Sequence, residues 1–182
     1  MNTPVTTRQK ILETAVSIVD TNGAAHLTID AVAAAAGLSK GGVLYHFPSK
    51  RALLEAMLSL LMETSAQRLE KLREEPAAQQ LPMIGPLIMA EQEQQPKQRA
   101  MALAILAAAA EDPSLLTPAK TYIADRFREA GSDTSDAQLA QILLLAAEGL
   151  RFLDMLNLLP DDITDRQQLF TRLLELSRNL PR

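Results

Sequence analysis

The sequence predicts an all-α protein of about nine helices, with an N-terminal three-helix helix-turn-helix domain followed by a longer helical domain. Three observations predict this class. Apolar residues recur at spacings of three and four along most of the chain, alanine and leucine dominate its composition, and no segment alternates apolar and polar residues over a useful length. Capping residues, glycines and prolines separate the periodic segments and set their limits.

The first three predicted helices are closely spaced. An apolar stripe predicts helix one over residues 6–21. Thr28 is placed to cap a second helix that ends at Gly37, because glycine tolerates the left-handed conformation found at helix ends. Ser39 is placed to cap a third helix over residues 40–46.

The later helices are bounded by proline and capping signals. Asp112-Pro113 and Thr117-Pro118 precede the seventh helix, Thr164 with Gln167 forms a capping box before the ninth, and residues 76–81 are expected to form a polar connection. Helices four to nine are predicted at residues 50–75, 82–94, 97–110, 118–131, 136–159 and 165–180.

Composition argues against several classes of protein. The chain has no cysteine, which excludes disulfides and thiolate metal sites and fits a reducing cytoplasm. Its two histidines, His26 and His46, lack the spacing of a metal site, and no nucleophile elbow is present, so we expect neither a metal, a cofactor nor an enzyme. Charged residues interrupt the most apolar stretch, 142–159, which favours a buried helix over a membrane span.

The charge distribution is asymmetric. The whole chain has a net charge of −4, yet residues 1–51 have a net charge of +2 and the remainder −6. A positively charged N-terminal region followed by an acidic remainder suits a protein that contacts phosphate groups only through its N-terminal region.

Residues 28–46 fit a helix-turn-helix pattern, in which two short helices flank a turn containing glycine. The second helix must enter the DNA major groove, so its early residues must be small or polar, as Lys40, Gly41 and Gly42 are. Each glycine costs the helix roughly 1 kcal/mol relative to alanine. Close approach to DNA would explain why both are present.

Three further residues could contact DNA. Tyr45 could offer its hydroxyl to phosphate and its ring to the groove wall, and Lys50 could reach phosphate from the first turn of helix four. His46 has two interpretations, a DNA contact or a packing residue between helices three and four.

Residues 6–58 resemble the DNA-binding domain of the TetR family of repressors. The segments that carry the resemblance are TRQKILETAVSIVDTNG, LTIDAVAAAAGLSKGGVLYHFPSK and RALLEAM. The chain departs from the family pattern by having Leu44 where tyrosine is common and its tyrosine one residue later. The resemblance implies DNA contacts from Thr28, Ser39, Lys40, Gly42, Tyr45, His46 and Lys50, with Gly41 beside them.

The resemblance also implies a division into a DNA-binding domain, residues 1–49, and a ligand-binding and dimerisation domain, residues 50–182. Apolar residues cover most of the circumference of predicted helices eight and nine, which is more apolar surface than packing against one neighbouring helix requires. They could form a monomeric core, or one side could pack inward while the other forms a two-fold interface. We expect a homodimer through residues 136–159 and 165–180.

An effector pocket is expected inside the second domain, between helices four and eight. Methionine adapts to varied ligand shapes, so we expect a lipophilic effector, although methionine more often fills a core. Glu148 could counter a cationic ligand, pair with Arg151 or lie at the interface. The candidate lining residues are Met57, Met89, Met101, Glu148, Phe152 and Met155.

The sequence therefore predicts a dimeric repressor that binds a palindromic operator and is released by a small effector. A dimer would hold its two recognition helices about 34–36 Å apart, one turn of DNA. An effector that favours another separation needs a coupling of only about 1–3 kcal/mol. The alternative is an all-helical protein–protein interaction module without DNA binding.

Overall fold

The structure, a computed structural model, describes residues 6–92, 95–160 and 165–181. These residues form ten α-helices and two 3-10 turns, Ala24–His26 and Pro113–Leu116, with no β-strand among them, which confirms the all-α prediction. The helices are α1 Thr7–Asn22, α2 Ile29–Ala36, α3 Lys40–His46, α4 Lys50–Glu74, α5 Pro76–Gln79, α6 Ile84–Gln92, α7 Pro96–Ala109, α8 Thr117–Ala130, α9 Ala137–Met155 and α10 Arg166–Arg178.

The C-terminal end of α9 differs from the prediction. The helix ends at Met155, four residues before the predicted end at residue 159. Asn157 adopts a left-handed backbone with φ 58°, and the Leu158 N–H donates to the Leu153 carbonyl oxygen at 2.9 Å. These features form a helix-terminating motif in which asparagine takes the place of glycine. The asparagine, rather than the following Pro160, therefore ends the helix.

Two other connections also differ from the prediction. The segment expected to be a polar connection contains α5, a single turn that begins at Pro76 and buries Ala78, so that prediction was wrong. The Asp165 carboxylate caps α10 by accepting hydrogen bonds from the N–H groups of Gln167 and Gln168. Thr164, the predicted capping residue, lies outside the described residues, as do residues 93 and 94 of the predicted fifth helix.

The described chain packs as two compact units. The first contains residues up to Met62 together with Gln95–Ala119, and the second contains the rest. Residues 95–119 thus pack with the N-terminal helices, although the sequence-based division placed them in the second domain. The predicted boundary between residues 49 and 50 remains a prediction about function.

The first unit is built around the helix-turn-helix. Ile11, Val32 and Val43, from α1, α2 and α3, are fully buried in one apolar cluster. The same cluster contains Phe47, which follows α3, and Leu53 on α4. This shared core fixes the orientation of α3 within the unit.

The second unit is centred on α6, α9 and α10. Ile84, Leu144 and Phe170, one from each helix, are fully buried in its apolar cluster. A Cβ at Gly131, just after α8, would lie 2.7 Å from the Cβ of Ala137. Only glycine therefore allows the close approach of these two chain segments.

Candidate nucleic-acid interface

Side-chain hydroxyl caps at the starts of α2 and α3 define the helix-turn-helix. The Thr28 hydroxyl accepts a hydrogen bond from the Ala31 N–H at 3.1 Å, and the Ser39 hydroxyl accepts one from the Gly42 N–H at 3.0 Å. Gly37, with φ 67°, provides the left-handed residue that ends α2. Because each capping hydroxyl acts as an acceptor, its own proton is free to donate to a phosphate oxygen.

The faces of α3 are clearly divided. Val43 and Phe47 are buried, four residues apart, while Lys40, Gly41 and Tyr45 are exposed. Positions four apart share one face of a helix, so Gly41 and Tyr45 lie together on the outer face. The structure therefore presents these predicted DNA-contacting residues on one surface.

The two glycines of α3 have different surroundings. A Cβ at Gly41 would have no heavy-atom neighbour closer than the Ser39 Oγ at 4.0 Å, whereas a Cβ at Gly42 would lie 3.3 Å from the same atom. The fold therefore has room for a side chain at Gly41. The absence of one leaves the outer face of α3 open to a close-fitting partner.

Lys40 forms an ion pair that the sequence reasoning missed. Its Nζ lies 3.1 Å from the Asp30 carboxylate on α2, and the two side chains are 60% and 70% exposed. Asp30 lies in the first turn of α2, where a carboxylate also interacts favourably with the helix dipole. An exposed pair of this kind contributes only about 0–1 kcal/mol, so Lys40 can exchange it for a phosphate at small cost.

Tyr45 has the most exposed large hydrophobic side chain in the described chain, with 85% of its surface accessible. Its ring meets the ring of His46 edge to face, with centroids 5.0 Å apart. His46 itself is half-buried. The aromatic pair places an apolar face with a hydroxyl beside the open glycine surface.

Lys50 begins α4. The Ser49 hydroxyl caps the helix by accepting from the Ala52 N–H at 3.1 Å. The Lys50 side chain is exposed and forms no hydrogen bond or ion pair within the part of the chain that the structure describes. On α1, the guanidinium of Arg8 lies 4.9 Å from the Phe47 ring centroid, a contact not predicted from the sequence.

The six candidate effector residues fall in different units. Met57 and Met101 are buried in the apolar cluster of the first unit. In the second unit, Met155 is buried, Met89 and Glu148 are half-buried and Phe152 is exposed. The structure thus groups these residues as two and four, and the proposed lining stays a prediction.

The second unit contains a cluster of charged side chains that sequence reasoning did not identify. Glu91 and Arg126 are only 6% and 5% exposed, and the Arg126 guanidinium contacts Glu91 at 2.5 Å. Arg151 pairs with Glu91 and also with Glu148, at 2.8 Å. The burial of Glu91 could have been predicted from the sequence, because Glu91 follows Leu87 by four residues and so continues the apolar stripe of α6.

Burial raises the pKa of Glu91, because desolvation disfavours its charged form. The nearby Glu148 carboxylate raises this pKa further, whereas Arg126 and Arg151 lower it. The cluster balances two carboxylates against two guanidinium groups. Glu148 is thus paired with Arg151, one of the alternatives open at the sequence level.

An apolar stripe runs along the outer surface of α9 and continues on α10. Ile142 and Leu145 are 58% and 57% exposed. Gly149 lies farther along the same helix, and a Cβ there would meet nothing within 4 Å. The other exposed large apolar residues of the stripe are Leu139, Phe152, Leu153, Leu156, Leu169 and Leu176.

Two features of other protein classes are absent from the described residues. No group of three or more histidine, aspartate or glutamate side chains in these residues could hold a metal ion. None of the described helices combines the length and the apolar character needed to cross a bilayer.

Two family models match the chain. The model described as "Bacterial regulatory proteins, tetR family" matches residues 11–57, which include the helix-turn-helix. The model described as "Tetracyclin repressor-like, C-terminal domain" matches residues 87–178. A comparison with curated protein sequences found no match.

Solved structures with a similar fold include GusR from Salmonella enterica, which is 25% identical over 98% of each chain with a TM-score of 0.61. The multidrug binding protein EbrR complexed with malachite green is 25% identical, over 91% of this chain and 96% of that chain, with a TM-score of 0.66. A transcriptional regulator from Saccharomonospora viridis in complex with choline is 17% identical, over 96% of this chain and 98% of that chain, with a TM-score of 0.74.

Proposed function

The chain belongs to the TetR family of transcriptional regulators, and from this premise we propose that it is a cytoplasmic repressor that binds a palindromic operator as a homodimer. A small, lipophilic effector would release it from DNA. Members of this family are transcription factors and not enzymes. The protein would therefore act through binding equilibria, which ligands shift by their different affinities for two states.

The observation that carries the proposal is the outer face of α3. It combines an exposed tyrosine, an exposed lysine and an open glycine surface that the fold itself does not require. The capping hydroxyls of Thr28 and Ser39 lie at the two helix starts, and Lys50 begins the next helix. Together they supply both phosphate contacts, which position a protein on DNA, and a surface that can approach base edges.

The exposed apolar stripe on α9 and α10 supports the homodimer. Single exposed apolar residues are ordinary, but a continuous stripe marks an interaction surface. In a dimer with a two-fold axis, the stripe of one subunit would pack against the same stripe of the other subunit. Ile142→Glu should therefore give a monomer in analytical ultracentrifugation and a large loss of operator affinity, while Ala124→Glu, an exposed change on α8 away from the stripe, should leave the dimer intact.

The effector remains a proposal about the second unit. The C-terminal family match lies over α6 to α10, and EbrR, one of the similar structures, is described with malachite green bound. We place the effector against Met89, Glu148, Phe152 and Met155, the four candidate residues that lie in the second unit. A screen of lipophilic compounds for release of DNA, repeated with Glu148→Gln, would test this lining.

The main experiment is fluorescence-polarisation binding to the DNA just upstream of the protein's own coding region, with a scrambled duplex as the reference. We expect selective binding whose affinity falls steeply with salt, because counterions are released. Lys50→Ala should reduce the salt slope by about 1, and Tyr45→Ala should weaken binding. Lys120→Ala, an exposed lysine on α8, is the matched control and should change neither.

The outcomes separate the possible functions. Selective binding lost in the α3 and α4 variants supports a DNA-binding regulator. Equal binding to both duplexes contradicts this operator assignment and would be followed by a selection from genomic DNA. A folded dimer that binds neither duplex nor any selected sequence would favour the interaction-module alternative.

A further inference from the structure

A cleft of about 540 Å³ lies within the first unit, and none of the residues that line it belongs to α3. Its walls come from the 3-10 turn Ala24–His26, the start of α4, and α7 with the segment that follows it. Small-molecule sites typically measure about 300–1,000 Å³ and are mostly apolar with a few polar groups. This cleft has both properties.

The interior of the cleft is aliphatic. Leu27, Leu54 and Leu115 line it with several alanines, among them Ala104 and Ala107. Alanine side chains are short, so the cleft exists because no large side chain on α7 reaches across to α4. An unbranched apolar chain would fill such a space without displacing any side chain.

The rim of the cleft carries one unpaired charge of each sign. Arg51 also lines it, but its guanidinium is already paired with Glu55 at 2.8 Å and with Asp112. Lys50 and Glu111 line the rim as well, and neither side chain forms a hydrogen bond or ion pair among the residues that the structure describes. A ligand with a net charge would meet one favourable and one unfavourable group, whereas a zwitterionic head group would complement both.

We propose that this cleft is a second small-molecule site, which binds amphiphiles with an apolar tail and a zwitterionic head group. The tail would lie between α4 and α7, with the carboxylate of the head toward Lys50 and its ammonium toward Glu111. This site differs from the effector site proposed for the second unit. Because Lys50 is also a predicted phosphate contact, an occupied cleft should weaken operator binding.

The test uses three probes with the same decyl tail: N-decyl-N,N-dimethylglycine, undecanoate and decyltrimethylammonium. Each is titrated into the full-length protein without DNA by isothermal titration calorimetry, at concentrations below micelle formation. We expect the zwitterion to bind most tightly. Lys50→Gln and Glu111→Gln should each weaken its binding by about two- to fivefold, the range of an exposed ion pair. Because DNA is absent, these results do not depend on the operator proposal.

Ala107→Phe should abolish binding by filling the cleft, and it should leave the protein folded because Ala107 is exposed. Ala110→Phe, at an exposed position outside the lining, is the matched control and should bind normally. Methyl NMR of labelled alanines provides an independent measurement, with shifts expected at Ala104. Unchanged binding in Ala107→Phe, shifts confined to the second unit, or tighter binding of either singly charged probe would overturn the proposal.

Discussion

Replacing Gly41 with alanine should make the protein more stable and a poorer DNA binder. In the free protein the new Cβ would meet only the Ser39 Oγ, at 4.0 Å, so no contact opposes it. Alanine in place of a helical glycine contributes up to about 1 kcal/mol. For a chain of 150–250 residues this raises Tm by roughly 2–4 °C.

On DNA, the same methyl group would occupy the space that the outer face of α3 keeps open. Inserting a methyl group into a closely packed interface typically costs about 1–3 kcal/mol. This corresponds to roughly five- to 150-fold weaker operator binding. The gain in stability and the loss in affinity would thus come from one substitution.

The assay pairs thermal denaturation with fluorescence-polarisation binding. Gly42→Ala provides a comparison, because its Cβ would lie 3.3 Å from the Ser39 Oγ and crowd the helix cap. It should therefore show a smaller gain in Tm than Gly41→Ala. The reasoning is refuted if Gly41→Ala raises Tm and binds the operator as tightly as the unmodified protein.

Three other substitutions test separate parts of the structure. Asp30→Asn should tighten operator binding by up to about fivefold, because it frees Lys40 from its exposed ion pair and removes a negative charge near phosphate. Weaker binding would contradict the assignment of the outer face of α3 to DNA. Gly131→Ala should lower the free energy of unfolding by about 1–3 kcal/mol, since its methyl would overlap the first turn of α9, and denaturant unfolding that shows no loss would contradict the close approach. Arg126→Met should lower stability by about 3–5 kcal/mol at neutral pH, because it leaves the Glu91 carboxylate without one of its buried partners. The added change Glu91→Leu should recover most of this loss, and a double variant as unstable as the single one would exclude the explanation.

The Arg126→Met prediction includes a pH dependence. Burial raises the pKa of Glu91 above its ordinary value. A carboxyl group of this kind contributes stability that is fully present below its ordinary pKa and is lost as the pH rises through the raised value. The deficit of Arg126→Met should therefore shrink as the pH falls and Glu91 takes up a proton, which chemical denaturation at several pH values would measure.

The local features of the DNA-binding surface could be predicted from the sequence alone. Thr28 and Ser39 cap helices through residues three positions away, and Gly37 ends α2 with a left-handed backbone. Their roles therefore follow from residue type and spacing. The burial of Val43 and Phe47 follows equally from helical periodicity.

Only the tertiary structure brought distant residues together. The ion pairs Lys40–Asp30 and Arg126–Glu91 join residues on different helices, and no local pattern specifies such partners. The cleft beside Lys50 likewise needs α7, which lies in the first unit although it comes later in the chain. Caps and periodicity depend on near neighbours along the chain, whereas ion pairs and cavities depend on which helix faces pack together, and the whole core decides that packing.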